Sequence, residues 1–275
     1  MVASAFISTD ELQNKLVAPN VKIVDASWHM ASEKRDAFTE YKTSHIPGAV
    51  FFDIDEACDK QSPYPHMLPT PETFAKVTSD LGIANQDEVI IYDSNGLFSA
   101  PRVWWMFRVF GHDNVKILNG GLPKWLAENR LMEAGDVATA PSIFTAHFKP
   151  ELLRDIKQMQ HNLITNNEQV IDARLPARFA GTEPEPRAGL LSGHIPHSVN
   201  VHYKECIAAP SNTIKPAEEL RALFASKNID LNKPITTSCG SGITACILAA
   251  ALYELGINAA VYDGSWAEWG SLKAS

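Results

Sequence analysis

The chain alternates two hydrophobic patterns from end to end. Short runs rich in β-branched residues, at 21–24, 88–92 and 115–118 and again at 169–172, 234–238 and 259–262, predict buried strands. Between them lie stretches with helical spacing, such as 217–227 and 244–255, read as amphipathic helices, the second stopped by Gly256. Strands alternating with helices predict βαβ units, hence an α/β fold whose sheets are parallel and covered by helices on both faces.

The pattern is also repeated once. His45-Ile46-Pro47-Gly48-Ala49-Val50 returns 149 residues later as His194-Ile195-Pro196-His197-Ser198-Val199. Val24-Asp25-Ala26 returns 147 residues later as Ile171-Asp172-Ala173, and the segment 120–125 returns as 264–269, offset by 144. Three matches in one order at a nearly constant offset predict two domains of the same fold, 1–138 and 150–275, joined within 129–150. His45 and His194 occur in both copies, which favours structural roles for them.

Composition narrows the function classes. A chain that is 45% hydrophobic and 20% charged is that of a soluble globular protein. A net charge of −8 speaks against nucleic acid, which needs a basic face, and means that an anionic substrate must be drawn by local arginines. Five tryptophans (Trp104, Trp105, Trp125, Trp266 and Trp269) therefore read as packing. The longest apolar run, 245–253, is too short to span a bilayer, so no membrane partner is expected. Residues 1–17 resemble neither a signal peptide nor a mitochondrial presequence. Cys58, Cys206, Cys239 and Cys246 form neither a C-x-x-C pair nor a zinc spacing, so a reducing, cytoplasmic location is expected and no metal.

The most informative stretch is Ser238-Cys239-Gly240-Ser241-Gly242-Ile243-Thr244, between a predicted strand and a predicted helix. Gly240 and Gly242 let the backbone curl so that successive N–H groups point inward, forming an anion cradle on a helix N-terminus. A thiol at its centre is exposed and favoured as thiolate, the reactive form. The plainer alternative is a small buried residue, the usual state of a free cysteine. Cys246, on the apolar side of the following helix, reads as packing, and Cys58 and Cys206 lack such a loop. A cysteine phosphatase would need Arg six positions after the nucleophile, where this chain has Ala245.

The loop Cys-Gly-Ser-Gly-Ile-Thr resembles that of the 3-mercaptopyruvate sulfurtransferases in the tandem rhodanese family. The likeness extends to 41–55, 62–69, 99–110, 178–196 and 262–270. It implies two rhodanese-like domains, each a parallel sheet flanked by helices, with only the second active. Asp93 stands where the first domain would carry the cysteine. Thiosulfate-using relatives have Arg-Lys in place of Gly240-Ser241, so the neutral loop implies 3-mercaptopyruvate as donor. It further implies that Cys239 carries sulfur as a persulfide, that Gly240, Gly242, Ile243 and Thr244 line the substrate, and that no cofactor is needed. The expected acceptor is thioredoxin, a low-molecular-weight thiol or cyanide.

Arg178 and Arg187 match the family's substrate arginines; taken alone they read as solvated surface residues. A guanidinium fork suits a carboxylate. The resemblance also implies a relay of Asp55, His66 and Ser241 across an interdomain cleft. From the residues alone, Asp55 and His66 fit structural loop positions equally well. His197 stands where the family usually has glycine. A thiosulfate:cyanide sulfurtransferase and a non-catalytic sulfur-carrier or binding module are the alternative functions.

Overall fold

The computed structural model describes residues 4–272. Its first half holds a five-stranded parallel sheet of β1 (Phe6–Ile7), β2 (Val21–Asp25), β3 (Ala49–Phe51), β4 (Glu88–Tyr92) and β5 (Val115–Leu118). The strand order is β1-β5-β4-β2-β3. The second half holds β6 (Leu153–Arg154), β7 (Gln169–Asp172), β8 (Val199–Asn200), a small antiparallel pair β9 (Ile207–Ala208) and β10 (Thr213–Ile214), then β11 (Ile235–Ser238) and β12 (Ala260–Tyr262). Its five-stranded sheet runs β6-β12-β11-β7-β8. Position for position, this is the order of the first sheet. Register agrees as well: Asp25 pairs with Tyr92 and Asp172 with Ser238, so Asp93 and Cys239 leave equivalent strands at the same level.

The hydrophobic runs locate the central strands, and all six form. The edge strands β1, β3, β6 and β8 span two or three residues each, too few for a periodic pattern to register. One expectation needs correcting. Helix Ala245–Tyr253 is not amphipathic: all its residues from Ala245 to Leu252 are buried. Helix Ala100–Val109 is likewise buried along its full length. The two pack together between the sheets, where a helix must be apolar on every side. Trp104 meets Tyr253 edge-on at 5.5 Å, and Arg108 rests on the Tyr253 ring at 4.2 Å.

The connection between the halves folds back onto the first. Phe144 is buried against Phe74, 5.8 Å between rings, and His147 N donates to the Phe110 carbonyl at 2.9 Å. Of the five tryptophans read as packing, Trp104, Trp105, Trp125 and Trp266 are buried, while Trp269 is partly buried. Both repeated histidines lie beside backbone carbonyls, His45 near Tyr41 and His194 near Phe179. No helix among the described residues is long and apolar enough to cross a membrane.

Candidate active site

Strand β11 ends at Ser238, and the chain curls through 239–244 before helix Ala245–Tyr253 begins. Gly242 adopts a φ of 79°, and a Cβ there would stand 2.9 Å from Arg102 Nη1 and 3.0 Å from the Asp263 carbonyl. Only glycine meets both demands. Cys239 is 2% exposed. Beneath it the Ser265 hydroxyl accepts from Cys239 N at 3.2 Å and from Gly242 N at 3.1 Å. The amides of Gly240, Ser241, Ile243 and Thr244 have no acceptor among the described residues. Ile243 has its side chain in the core and offers only its backbone to the loop.

The first half brings a polar chain to this loop. His66 Nδ1 lies 3.1 Å from Ser241 Oγ, and its Nε2 lies 3.2 Å from Asp55 Oδ1. The hydrogen bond from His66 holds the Asp55 carboxyl below its ordinary pKa. Asp55 Oδ2 accepts from Trp28 Nε1 at 2.9 Å, and the Trp28 ring meets His66 edge-on at 4.9 Å. Trp28 was not singled out from sequence. The signal is that its counterpart in the second half, 147 residues on, is Leu175, so the aromatic belongs to one copy alone.

The arginines separate into a tied one and a loose one. Arg178, on helix Pro176–Phe179, lies over the loop, its Nη2 3.2 Å from where a Gly240 Cβ would stand. It is ion-paired to Glu185, whose carboxylate also takes Arg174 Nη1 at 2.7 Å. Arg174 in turn pairs with Asp172 at 2.7 Å and stacks on Trp266 at 4.3 Å. Glu185 and Arg174 escaped the sequence reading because their alternation of charge is spatial, not sequential. Arg187 is exposed at the surface and forms no ion pair with a described residue. Crowding around its guanidinium pulls its pKa below the usual arginine value, opposed by the nearby Cys239 sulfur.

The other thiols differ in kind. Burial pushes Cys206 up to about 12 and Cys246 far above the ordinary thiol range. Cys246 donates to the Gly242 carbonyl at 3.2 Å, and Cys58, half-buried, is also raised by burial. In the first half the loop after β4 is filled by its own first side chain. Asp93 Oδ2 accepts from the amides of Phe98, Ser99 and Ala100 at 2.8, 3.0 and 2.9 Å, and Oδ1 from Asn95 at 2.9 Å.

Comparison with known proteins agrees with this architecture. The human 3-mercaptopyruvate sulfurtransferase is 44% identical, the match covering 96% of this chain and 91% of that protein. The bovine thiosulfate sulfurtransferase is also 44% identical, over 96% of this chain and 91% of its own length. The crystal structure of SseA, a 3-mercaptopyruvate sulfurtransferase from Escherichia coli, superposes with a TM-score of 0.88 at 41% identity, covering 96% of this chain and 99% of the other. The model of the rhodanese-like domain matches twice, at residues 8–128 and 155–272. With that domain in tandem over nearly its whole length, the chain belongs to the rhodanese family.

Proposed function

We propose that this protein is a sulfurtransferase that takes sulfur from 3-mercaptopyruvate onto Cys239, releases pyruvate, and passes the sulfur to a thiol acceptor. The observation that carries the reading is a buried cysteine inside a loop without side-chain charge, with four loop amides open to an incoming sulfur. Overall identity does not choose the donor, since mercaptopyruvate- and thiosulfate-named relatives match equally well. The loop's lack of charge favours 3-mercaptopyruvate. Thiosulfate is a dianion and needs cations at the reacting sulfur, whereas 3-mercaptopyruvate carries its charge on a carboxylate remote from it.

In this reading Arg187, which forms no ion pair among the described residues, meets the carboxylate, and Arg178 approaches from the Gly240 side. The Cys239 thiolate attacks the substrate sulfur, and the carbon–sulfur electron pair leaves with carbon as pyruvate enolate. The enolate takes a proton from the Ser241 hydroxyl, with His66 exchanging protons with that oxygen and Asp55 orienting His66. The outer sulfur rests against the amides of Gly240, Ser241, Ile243 and Thr244 in the manner of an oxyanion hole. An acceptor thiolate, from thioredoxin or a small thiol, attacks that sulfur and restores Cys239. The first half supplies Asp55 and His66 but no nucleophile. Four unpaired thiols support a reducing, cytoplasmic setting.

One experiment tests both the carrier and the donor. Incubation with 3-mercaptopyruvate should add one sulfur, about 32 Da, to Cys239 alone as read by peptide mass spectrometry. The ratio of kcat/KM for 3-mercaptopyruvate over thiosulfate should fall at least about tenfold in Gly240→Arg with Ser241→Lys. Sulfur on another cysteine, or a wild type that uses both donors equally, would overturn the reading.

A further inference from the structure

The steps proposed above make no use of the guanidinium of Arg102, which lies directly under the contact between His66 and Ser241. Arg102 belongs to helix Ala100–Val109 of the first half and is fully buried, its plane resting on Trp105 at 4.6 Å. Its Nη1 donates to Asp263 Oδ1 at 2.7 Å and to the Gly242 carbonyl at 3.4 Å, both in the second half. Its Nη2 donates to the His66 carbonyl. The second oxygen of Asp263 accepts from Leu68 N at 2.7 Å, two residues beyond His66.

The turn carrying His66 is thus held at two points and the Cys239 loop at one, by a single ion pair. His66 has a φ of 61°, a conformation that a non-glycine residue keeps only where its surroundings impose it. Gly242 leaves free the volume that Arg102 Nη1 occupies. Buried ion pairs contribute little net stability, because desolvation offsets their attraction, and in some proteins what they secure is one arrangement of their partners.

We propose that Arg102 is a positioning residue for sulfur transfer. By joining the His66 carbonyl to the Gly242 carbonyl across the boundary between the halves, it sets the distance at which His66 meets Ser241. The proposal rests on the relay reading of Asp55, His66 and Ser241. Lysine cannot replace it, because one ammonium on a flexible stem lacks the planar fork that reaches both sides at once.

The test is a double-mutant cycle of Arg102→Lys and His66→Ala, read as pyruvate release from 3-mercaptopyruvate. Arg102→Lys should lower kcat by about tenfold or more while KM stays within about threefold, since the arginines assigned to the carboxylate lie elsewhere. The double variant should be no slower than His66→Ala alone, because Arg102 acts through His66. Additive losses, or a wild-type kcat in Arg102→Lys, overturn the proposal. A wild-type kcat in His66→Ala alone identifies failure of the relay itself, and the proposal falls with it. If Arg102→Lys does not fold, Asp263→Asn enters the same cycle; it removes the partner charge and keeps the side chain's shape, and the same outcomes decide.

Discussion

The loops that follow β4 and β11 occupy the same place in two copies of one sheet, and they differ in what fills them. After β4, the Asp93 carboxylate turns inward and receives four backbone amides of its own loop. After β11, the thiol of Cys239 stands at that position, two amides go to the Ser265 hydroxyl below, and four stay open. The turns beneath the loops match the difference. Gly121 has a φ of 54° and no room for a side chain, since a Cβ would lie 2.7 Å from the Asp93 carbonyl. Its counterpart Ser265, at a φ of 49°, supports the loop through its hydroxyl. The anion cradle is therefore a property of the fold. A carboxylate offers lone pairs enough to saturate the amides from within, whereas a thiol accepts weakly and leaves them open, as the proposed persulfide requires.

The strongest way to break this comparison is to make the loops alike. Cys239→Asp should abolish sulfur transfer and leave the thermal midpoint at or above that of wild type, because the new carboxylate can take the open amides. Calorimetry beside a pyruvate assay reads both effects, and a markedly lowered midpoint would show that the loops are not interchangeable.

The reverse change sharpens the first half. Asp93→Ala strands buried amides without an acceptor and should cost roughly 3 kcal/mol, seen as a midpoint lowered by several degrees. Activity per folded molecule should persist at low temperature, since Asp55 and His66, the residues of that half proposed for the relay, lie on other loops. An unchanged midpoint would mean that the Asp93 hydrogen bonds do not hold the loop.

The smallest effect concerns the repeated turn that enters β3 and β8. Gly48 has a φ of 75° and His197, its counterpart, 66°. His197→Gly relieves left-handed backbone strain but frees the unfolded chain, so stability should rise by less than about 1 kcal/mol. A clear loss in denaturant titration would assign the His197 side chain a contact of its own.

Much was legible before folding because it is written at short range. The repeat, the six central strands, the glycine-bounded Cys239 loop and the absence of a nucleophile at position 93 each occupy a few consecutive residues. A strand of four or five residues and a turn at positive φ leave their mark within that span. The burial of helix Ala245–Tyr253 is marked too, because the run is apolar on every side; what no residue within it states is that a second domain covers it.

The geometry of the candidate site belongs to that second kind of information. Sequence determined that Cys239 heads a curled, neutral loop, while Asp55, His66, Arg178 and Arg187 stood out only through the family resemblance. The resemblance implied that His66 serves Ser241; only the tertiary structure decided the distance between them, that Glu185 ties Arg178 and leaves Arg187 without an ion pair among the described residues, and that Trp28 and Arg102 converge on His66. The physical reason is distance along the chain. Asp55 and His66 are about as far from Ser241 as one domain is from the other, and Coulomb and hydrogen-bond forces act over a few ångströms. No local pattern can encode such a contact before two separately built sheets are brought face to face.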